Sequence, residues 1–375
     1  MNQSNQPKKI EATGRLLSLD AYRGAIMIAL ISEGFGLQVL TEYPLWKWLA
    51  VQTHHVEWEG CVFWDLIQPS FMFMVGVAMP FAFQKRESLG QSPGKRFAHV
   101  VKRAIYLCLF AIGFDSIQHG SILIGFVNVL PQIAFGYVIT YLVMSKSYRF
   151  QAIFALALVA LYSLVWIVYP GNGSAGLWAN PRSLPPWGEQ FANLASDFDF
   201  WMLGRWYPDY WVALNAIPST ATIIAGAMCG KFVAGNPPPK RLLGTLLASA
   251  AALILVGLLI SFSGIPIIKR ILTASFALYS TGWSILFLSL FYVVVDLLGY
   301  RKWAYPLIVV GMNSMAAYFM YQLFHSSIDN AVMVFFQTPI NAMGNLGQIV
   351  RACLVLAVVW YILHFFYKRK IFFKV

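Results

Sequence analysis

The sequence predicts an all-α, polytopic integral membrane protein with about ten transmembrane helices and both termini in the cytoplasm. Hydrophobic residues make up 59% of the 375 residues, and charged residues make up only 11%. A soluble domain needs about 25% charged residues to cover its surface. The apolar residues also recur in segments of the ~20 residues that a helix needs to cross a bilayer. We therefore expect a single transmembrane domain over residues 1–375.

The ten expected spans follow one another with mostly short connections. Residues 1–13 are polar and are expected to form a disordered cytoplasmic tail. Segment 170–210 is expected to be a long outer loop. Segment 326–346 contains an apolar run that is too short to span and is expected to be interfacial or re-entrant. The spans are expected at residues 17–40, 63–84, 98–117, 121–143, 150–169, 211–233, 242–262, 272–298, 304–325 and 347–366.

The distribution of basic residues gives the orientation. With both termini inside, 21 of the 27 Lys and Arg residues lie on the inner side and six on the outer side, as the positive-inside rule requires. The net charge of +12 is thereby explained without nucleic acid, and no basic face with interleaved aromatic residues is present to bind it. The four cysteines are too widely spaced for a disulfide framework or a zinc site.

Stretch 53–80 is where chemistry is expected, because an aqueous loop with histidines there meets the second span. Asp65 opens this span, and Glu33 lies about two turns inside the outer end of the first span. Charged side chains inside spans are costly, so each is a candidate functional residue. Glu33, His55 and Asp65 are expected to converge in one outer vestibule, where a carboxylate would fix the tautomer of His55 and raise its basicity.

Neighbouring residues have simpler alternatives. His54 fits a solvated loop histidine, and Cys61 is more simply a packed residue than an acyl carrier. Two histidines could bind a metal, but adjacent residues of an extended segment point in opposite directions, so no metal is expected. Asp20 and Arg23, three residues apart at the inner end of the first span, either form a structural ion pair or contact a ligand.

Polar residues late in the chain are further candidates. Asn313, in the ninth span, either bonds to a neighbouring helix or contacts substrate. Lys269, Thr273 and Ser275 open the eighth span at the outer face, where a helix N-terminus beside cations suits an anion or a sugar hydroxyl. Interfacial anchoring explains these three residues equally well. His325, which ends the ninth span, is a secondary candidate.

Four patches occur in order along the chain: SLDAYRG at 18–24, HHVEWEGCVFWDLIQPSFMFMVGVA at 54–78, IPIIKRILTASFALYSTGW at 265–283 and GMNSMAAY at 311–318. In these patches the chain resembles the heparan-α-glucosaminide N-acetyltransferase family and its bacterial relatives, which are transmembrane acyltransferases. The resemblance implies transfer of acetyl from cytosolic acetyl-CoA to an amino sugar on the far side. By position, it places the catalytic histidine at His55, with Trp58 and Glu59 beside the acceptor.

We therefore expect an acyltransferase with acetyl-CoA as donor substrate. CoA would approach from the cytoplasm towards Asp20, with its phosphates contacting Arg23, Lys102 and Arg103. His55, in a cavity that reaches towards the cytosol, would act as a general base or as a transient acyl carrier. Expected partners are the lipid bilayer, acyl-CoA and an amino sugar or glycan acceptor, without nucleic acid, and a homodimer is left open. The compact chain favours the bacterial inner (plasma) membrane.

A transporter or flippase is the alternative, in which the intramembrane charges line a path for a solute or protons. Transporters of this kind are built from inverted repeats with broken helices in matching positions. The sequence shows no such repeat and no broken helices in matching positions, which argues against transport. A structural or partner-binding protein would leave the cluster of histidines and acids unexplained.

Overall fold

The computed structural model describes residues 16–168, 194–204 and 212–373. The expected tail 1–13 and most of the expected loop 170–210 lie outside the described residues. Within those ranges the chain forms α-helices, 3₁₀ segments joined to them by loops, and a π-helical stretch (Tyr292–Leu297) that follows α10, and no strand. The helices are α1 (Leu17–Ile31), α2 (Lys47–Gln52), α3 (Ile67–Ser88), α4 (Pro93–His119), α5 (Val129–Val143), α6 (Tyr148–Val168), α7 (Leu194–Leu203), α8 (Ala216–Ala234), α9 (Pro239–Phe262), α10 (Ala274–Phe291), α11 (Tyr305–Met312), α12 (Ser314–Ala342) and α13 (Gly347–Lys368).

Many of these helices have the length and composition of membrane spans. Among the described residues, seven are long and apolar enough to cross a membrane, or up to nine if each of two bent pairs counts as one span. This confirms an all-α membrane protein. The count of ten spans and the cytoplasmic side of the termini stay predictions.

The first and ninth expected spans are broken, contrary to the expectation from sequence. Helix α1 and the 3₁₀ segment Glu33–Glu42 meet at 57°, and α11 and α12 meet at 76°. At the first break, Gly34, Phe35 and Gly36 all have positive φ, a left-handed conformation that ends the right-handed helix. Broken helices are also a feature of transporters, where they stand in matching positions of two repeats.

Two further expected boundaries are wrong. Helix α5 begins at Val129 and not near residue 121, because α4 ends on the left-handed Gly120 and Asn128 caps α5. Helix α12 continues to Ala342, so segment 326–346 extends the ninth helix instead of forming a separate interfacial unit. No proline or glycine occurs in α12 before Pro339, and the helical pattern therefore continues past the expected end at residue 325.

Close contacts at glycine hold the helices together. A Cβ atom at Gly24 of α1 would lie 1.8 Å from the carbonyl oxygen of Leu307, and one at Gly311 of α11 would lie 1.8 Å from the carbonyl oxygen of Asp20. Both contacts exclude any side chain, and so α1 and α11 touch backbone to backbone. Membrane helices pack in this way because lipid supplies no hydrophobic force between them.

Candidate active site

Two loops meet at the end of the bundle where α3 and α10 begin, which we call the His55 end. Loop 53–62 leads into α3, and loop 263–273 leads into α10. The backbone N–H of Gly60 donates to the carbonyl of Ile267 at 2.8 Å, and Glu59 forms an isolated antiparallel bridge with Ile268. This pairing joins two sequence patches that are far apart in the chain.

Trp58 anchors the first of these loops. Its side chain is 8% exposed and packs with Tyr162 and Trp166 of α6 and with Ile268 of the second loop. Glu59 is exposed and takes part in the bridge between the loops. Neither residue lines the cavity beside His55, so the structure gives Trp58 and Glu59 a role in holding the loop, and contact with an acceptor stays a prediction.

His55, Asp65 and Lys269 form one hydrogen-bonded group. The His55 Nδ1 atom lies 2.7 Å from Asp65 Oδ1, and Lys269 Nζ lies 3.7 Å from the same oxygen. Lys269 Nζ also lies 3.0 Å from His55 Nδ1 and 3.4 Å from Nε2. The expected approach of Asp65 to His55 is therefore present in the structure, and Lys269 joins them from the other loop.

The hydrogen bonds indicate the tautomer of His55. An ionised carboxylate only accepts hydrogen bonds and an ammonium only donates them. Nδ1 therefore carries the proton and donates to Asp65, which leaves the lone pair on Nε2 beside the Lys269 ammonium. A histidine held in this state presents a base at Nε2.

A hydrogen bond from the backbone orients the Asp65 carboxylate towards His55. Its side chain is buried, and Oδ2 accepts the backbone N–H of Val62 at 3.1 Å, in the 3₁₀ turn that leads into α3. This bond leaves Oδ1 to face the histidine and the lysine. His55 and Asp65 are ten residues apart in sequence. They meet because the loop folds back onto the start of the helix that follows it.

Thr273 and Ser275 shape the loop that carries Lys269. The Thr273 hydroxyl donates to the carbonyl of Pro266 at 2.7 Å and accepts the backbone N–H of Ile268 at 3.0 Å. Ser275 also donates to Pro266 at 2.7 Å. Both hydroxyls are buried and neither residue lines the cavity beside His55, so the structure gives them a role in shaping the loop, and their contact with substrate stays a prediction. Lys269 of the same loop lines the cavity.

The charge states follow from burial. Burial lowers the pKa of His55 below its usual value, the hydrogen bond to Asp65 offsets part of this effect, and the Lys269 cation lowers that pKa further. Burial also lowers the pKa of Lys269 to about 8, against the opposing influence of Asp65. At neutral pH the histidine is therefore neutral and the lysine is mostly protonated. Burial raises the pKa of the Cys61 thiol to about 12, which makes a thiolate acyl carrier there unfavourable.

A cavity of about 500 Å³ lies beside this group, within the range of small-molecule sites. His55 and Lys269 contribute to its lining, and the His55 side chain is 36% exposed at its mouth. Trp64 and Phe71 of the second patch form an apolar part of the wall. The site thus combines a base, a cation and room for a ligand.

Another part of the wall is polar and was not predicted. Asp115 of α4, Asn128 before α5, and Tyr318 and Gln322 of α12 line the same cavity. Tyr318 ends the patch GMNSMAAY, and Asn128 begins the segment NVLPQIAFGY, so polar residues in apolar surroundings were the available signal. Their convergence was hidden because the helices that carry them are distant in sequence.

Glu33 does not join His55 and Asp65. Its carboxylate lies 3.3 Å from Nε2 of His325, the secondary candidate, and the Glu33 side chain is 54% exposed. Beside this pair, Arg351 of α13 bonds to Asp329 of α12. Glu33 therefore connects the break in α1 to α12, and the expected convergence of all three catalytic candidates is wrong.

The four residues expected to bind CoA lie away from the cavity lining. Asp20 and Arg23 form an ion pair at 3.7 Å, as their spacing predicted. The Arg103 guanidinium donates to the Tyr137 hydroxyl at 3.2 Å, and the Lys102 ammonium lies 5.5 Å from a tyrosine ring. The cavity thus does not extend to these residues, and their binding of CoA stays a prediction.

Asn313 is buried at the break between α11 and α12, where its side chain holds the C-terminal segment. The Nδ2 group donates to the carbonyl of Ile371 at 3.1 Å, and Oδ1 accepts the backbone N–H of Phe373 at 3.4 Å. These bonds go to the segment after α13 and not to a neighbouring helix. Asn313 does not line the cavity, and its contact with substrate stays a prediction.

Residues 15–123 match a sequence family described as a domain of unknown function, DUF5009. The match contains His55, Asp65 and Asp115, while Lys269 and Tyr318 lie beyond it. No curated protein matches the chain. Across the described residues, no group of three or more His, Cys, Asp or Glu side chains could hold a metal ion.

Proposed function

We propose that this protein is a membrane-embedded acyltransferase that moves an acetyl or other acyl group from acyl-CoA to an amino sugar or glycan acceptor. The observation that carries this proposal is the short contact between His55 Nδ1 and Asp65 beside a cavity, with the Lys269 ammonium 3.0 Å from Nδ1 and 3.4 Å from Nε2. A neutral histidine oriented by a buried carboxylate is suited to accept a proton from an attacking amine or hydroxyl.

In this mechanism the acceptor nitrogen or oxygen attacks the thioester carbonyl carbon while His55 Nε2 takes up the acceptor proton. Asp65 stabilises the resulting imidazolium, and the Lys269 ammonium stabilises the negative charge on the carbonyl oxygen. The C–S bond then breaks, and the CoA thiolate receives the proton from Nε2. His55 is returned to its neutral state. If His55 carries the acyl group instead, Nε2 attacks the thioester first and the acceptor then displaces it.

The donor must reach His55 for this reaction to occur. The cavity lining ends at Ile26 on α1 and at Phe71 on α3, and so entry from the opposite end of the bundle requires a helix to move. The breaks after Ile31 and at Asn313 are the positions where α1 and the α11–α12 pair can bend. We propose that the acyl end of CoA occupies this cavity beside the acceptor.

Transport is the second candidate, and the two broken helices favour it. Discontinuous helices at a solute site are typical of secondary transporters. In that case Lys269 and His55 would bind a solute or carry protons instead of performing acyl transfer.

Incubation of the purified protein in nanodiscs with radiolabelled acetyl-CoA and a panel of amino sugars tests the proposal. We expect transfer that falls ~10²- to 10⁴-fold in His55→Ala, the usual contribution of a general base. His54→Ala is the matched control, since its ring bonds locally to Ala50 and Thr53. Equal losses in both variants would refute the role of His55. No transfer to any acceptor, together with uptake of a labelled amino sugar into proteoliposomes, would support transport.

A further inference from the structure

A second cavity, of about 610 Å³, lies between α6 and α9, and residues of α8 and α10 also line it. We call this cavity the α6–α9 groove. It shares no lining residue with the cavity beside His55. Small side chains make up much of its wall, and the alanines are Ala152, Ala155, Ala221, Ala225, Ala252 and Ala277. These short side chains leave a space between the helices that suits a slender apolar ligand.

The groove has the depth of one leaflet of a bilayer. Its side on α9 runs from Arg241 to Leu253, which is ~18 Å at ~1.5 Å per residue. The hydrocarbon core of a bilayer is ~30 Å thick, so that one leaflet takes up ~15 Å. Leu156 of α6 and Ala252 of α9 line the groove and are exposed, and both helices have the length and composition of membrane spans. The groove therefore opens on the surface that faces lipid.

Arg241 lines the groove at the end of the bundle opposite His55. Helix α9 begins at Pro239 and runs towards loop 263–273, which carries Lys269, and Arg241 lies in its first turn. Its side chain is exposed and has no hydrogen bond or ion pair within residues 16–168, 194–204 and 212–373. A guanidinium can bind two phosphate oxygens through parallel hydrogen bonds. This end of the groove therefore suits a phosphate group.

Thr245 and Ser249 follow Arg241 at intervals of one turn along the same face of α9 and also line the groove. In the described part of the chain neither hydroxyl has a hydrogen-bond partner, whereas Ser163 and Thr220 bond to the carbonyl one turn back in their own helices. A hydroxyl without a partner is costly in hydrocarbon. The ester carbonyls of a glycerolipid lie next to its phosphate and would supply acceptors at this depth.

We propose that the α6–α9 groove binds one acyl chain of an anionic glycerophospholipid, with the lipid phosphate on Arg241. The hydroxyls of Thr245 and Ser249 donate to the ester carbonyls, and the chain lies along the groove towards Leu253. No acidic residue is present among the described lining residues, and so a headgroup with net negative charge is favoured. Basic pockets between membrane helices are typical sites for anionic headgroups. This inference does not depend on acyl transfer at His55.

Binding of dioleoyl phosphatidylglycerol and dioleoyl phosphatidylcholine, measured by native mass spectrometry of the purified protein in a neutral detergent, tests the role of Arg241. The two lipids have the same chains, and only the first has a net negative charge. The anionic lipid should bind about fivefold more tightly, the gain expected for one cation near a charged headgroup. Arg241→Gln should abolish this preference. The control Lys240→Gln, at an exposed neighbour that does not line the groove, should retain it. Equal loss of preference in both variants would overturn the role of Arg241.

A second pair of variants tests the place of the acyl chain. Ala252→Phe fills the groove from α9 and should weaken the binding of both lipids about tenfold, the effect of about two methylene groups leaving an apolar site. Ala251→Phe is the matched control, because Ala251 is equally exposed on the same helix and does not line the groove. It should bind both lipids as the wild type does. Unchanged binding in Ala252→Phe would overturn the assignment of the groove.

Cys229 of α8 lines the groove and reports on its occupant in the wild-type protein, without any variant. Phosphatidylglycerol should slow the alkylation of Cys229 by N-ethylmaleimide, followed by peptide mass spectrometry, more than phosphatidylcholine does at the same concentration. The exposed Cys353 of α13, outside the groove, should react at the same rate with either lipid. Bound lipid that leaves the rate at Cys229 unchanged would overturn the proposal. Protection by inorganic phosphate alone would reject the acyl chain as part of the ligand.

Discussion

Replacement of Lys269 by Met tests the electrostatics of the site most directly. Methionine retains much of the aliphatic volume and removes the cation that lies 3.0 Å from His55 Nδ1 and 3.4 Å from Nε2. Burial lowers the pKa of Lys269 from 10.5 to about 8, which corresponds to ~3 kcal/mol against the protonated form at ~1.4 kcal/mol per pH unit. This net penalty already includes the compensation by Asp65, and a pKa of about 8 still leaves the lysine mostly protonated at neutral pH.

The wild-type rate of acetyl transfer should be bell-shaped in pH. The rate rises as His55 loses its proton, at a pH below the usual range for histidine because its pKa is lowered. It falls again as Lys269 loses its proton around pH 8. In Lys269→Met the alkaline limb should disappear. The acid limb should move to higher pH, because the cation that lowered the pKa of His55 is gone.

At neutral pH the rate of Lys269→Met should be lower by ~10²- to 10³-fold, the size expected for loss of a group that stabilises an oxyanion. Initial rates with labelled acetyl-CoA between about pH 5 and about pH 10, the range in which both groups titrate, give both limbs. Lys47→Met, an exposed lysine at the start of α2, is the control and should keep the wild-type profile. An alkaline limb near pH 8 that persists in Lys269→Met would refute the assignment.

Three other substitutions have defined expectations. Asp65→Asn should lower kcat ~10²- to 10⁴-fold because the tautomer of the histidine is no longer fixed. The alkaline limb of the pH–rate profile should also move to lower pH, because Lys269 loses its counter-ion. An unmoved alkaline limb would contradict this prediction. Trp58→Ala should lower the free energy of unfolding by ~3–5 kcal/mol, as for other buried tryptophans, whereas Trp48→Ala, at a side chain that is 63% exposed, should have little effect on the denaturation midpoint. Gly311→Val should strongly reduce the yield of folded protein on size-exclusion chromatography, since its Cβ would lie 1.8 Å from a carbonyl oxygen of α1. Gly244→Ala in α9, where no atom lies within 4 Å of the new Cβ, should fold normally, and equal yields of the two variants would argue against the close contact.

The proximity of His55 and Asp65 could be predicted because only ten residues separate them. A loop that returns to the first turn of its own span has few ways to place these side chains. Lys269 was recognised as polar and as near the outer face, but its contact with His55 depends on the pairing of Gly60 with Ile267. No local pattern in either patch encodes that pairing.

Glu33 shows that the depth of a residue along a helix does not by itself predict which side chains it contacts. Its height in the first span was close to that of Asp65, and convergence was expected on that basis. The left-handed residues after Ser32 turn the chain, and the carboxylate instead meets His325. The direction in which a side chain points depends on the rotation of its helix as well as on its depth, and packing against α11 and α12 determines that rotation.

The sequence by itself determined the fold class, the approximate place of the helices and the proximity of His55 and Asp65 within stretch 53–80. These features depend on composition and on runs of apolar residues, which are local properties of the chain. The tertiary structure alone decided that Lys269 joins His55 and that Asp115, Asn128 and Tyr318 line the same cavity. Contacts between distant helices depend on how closely their backbones approach and on how each helix is rotated, and these quantities follow from packing of the whole bundle.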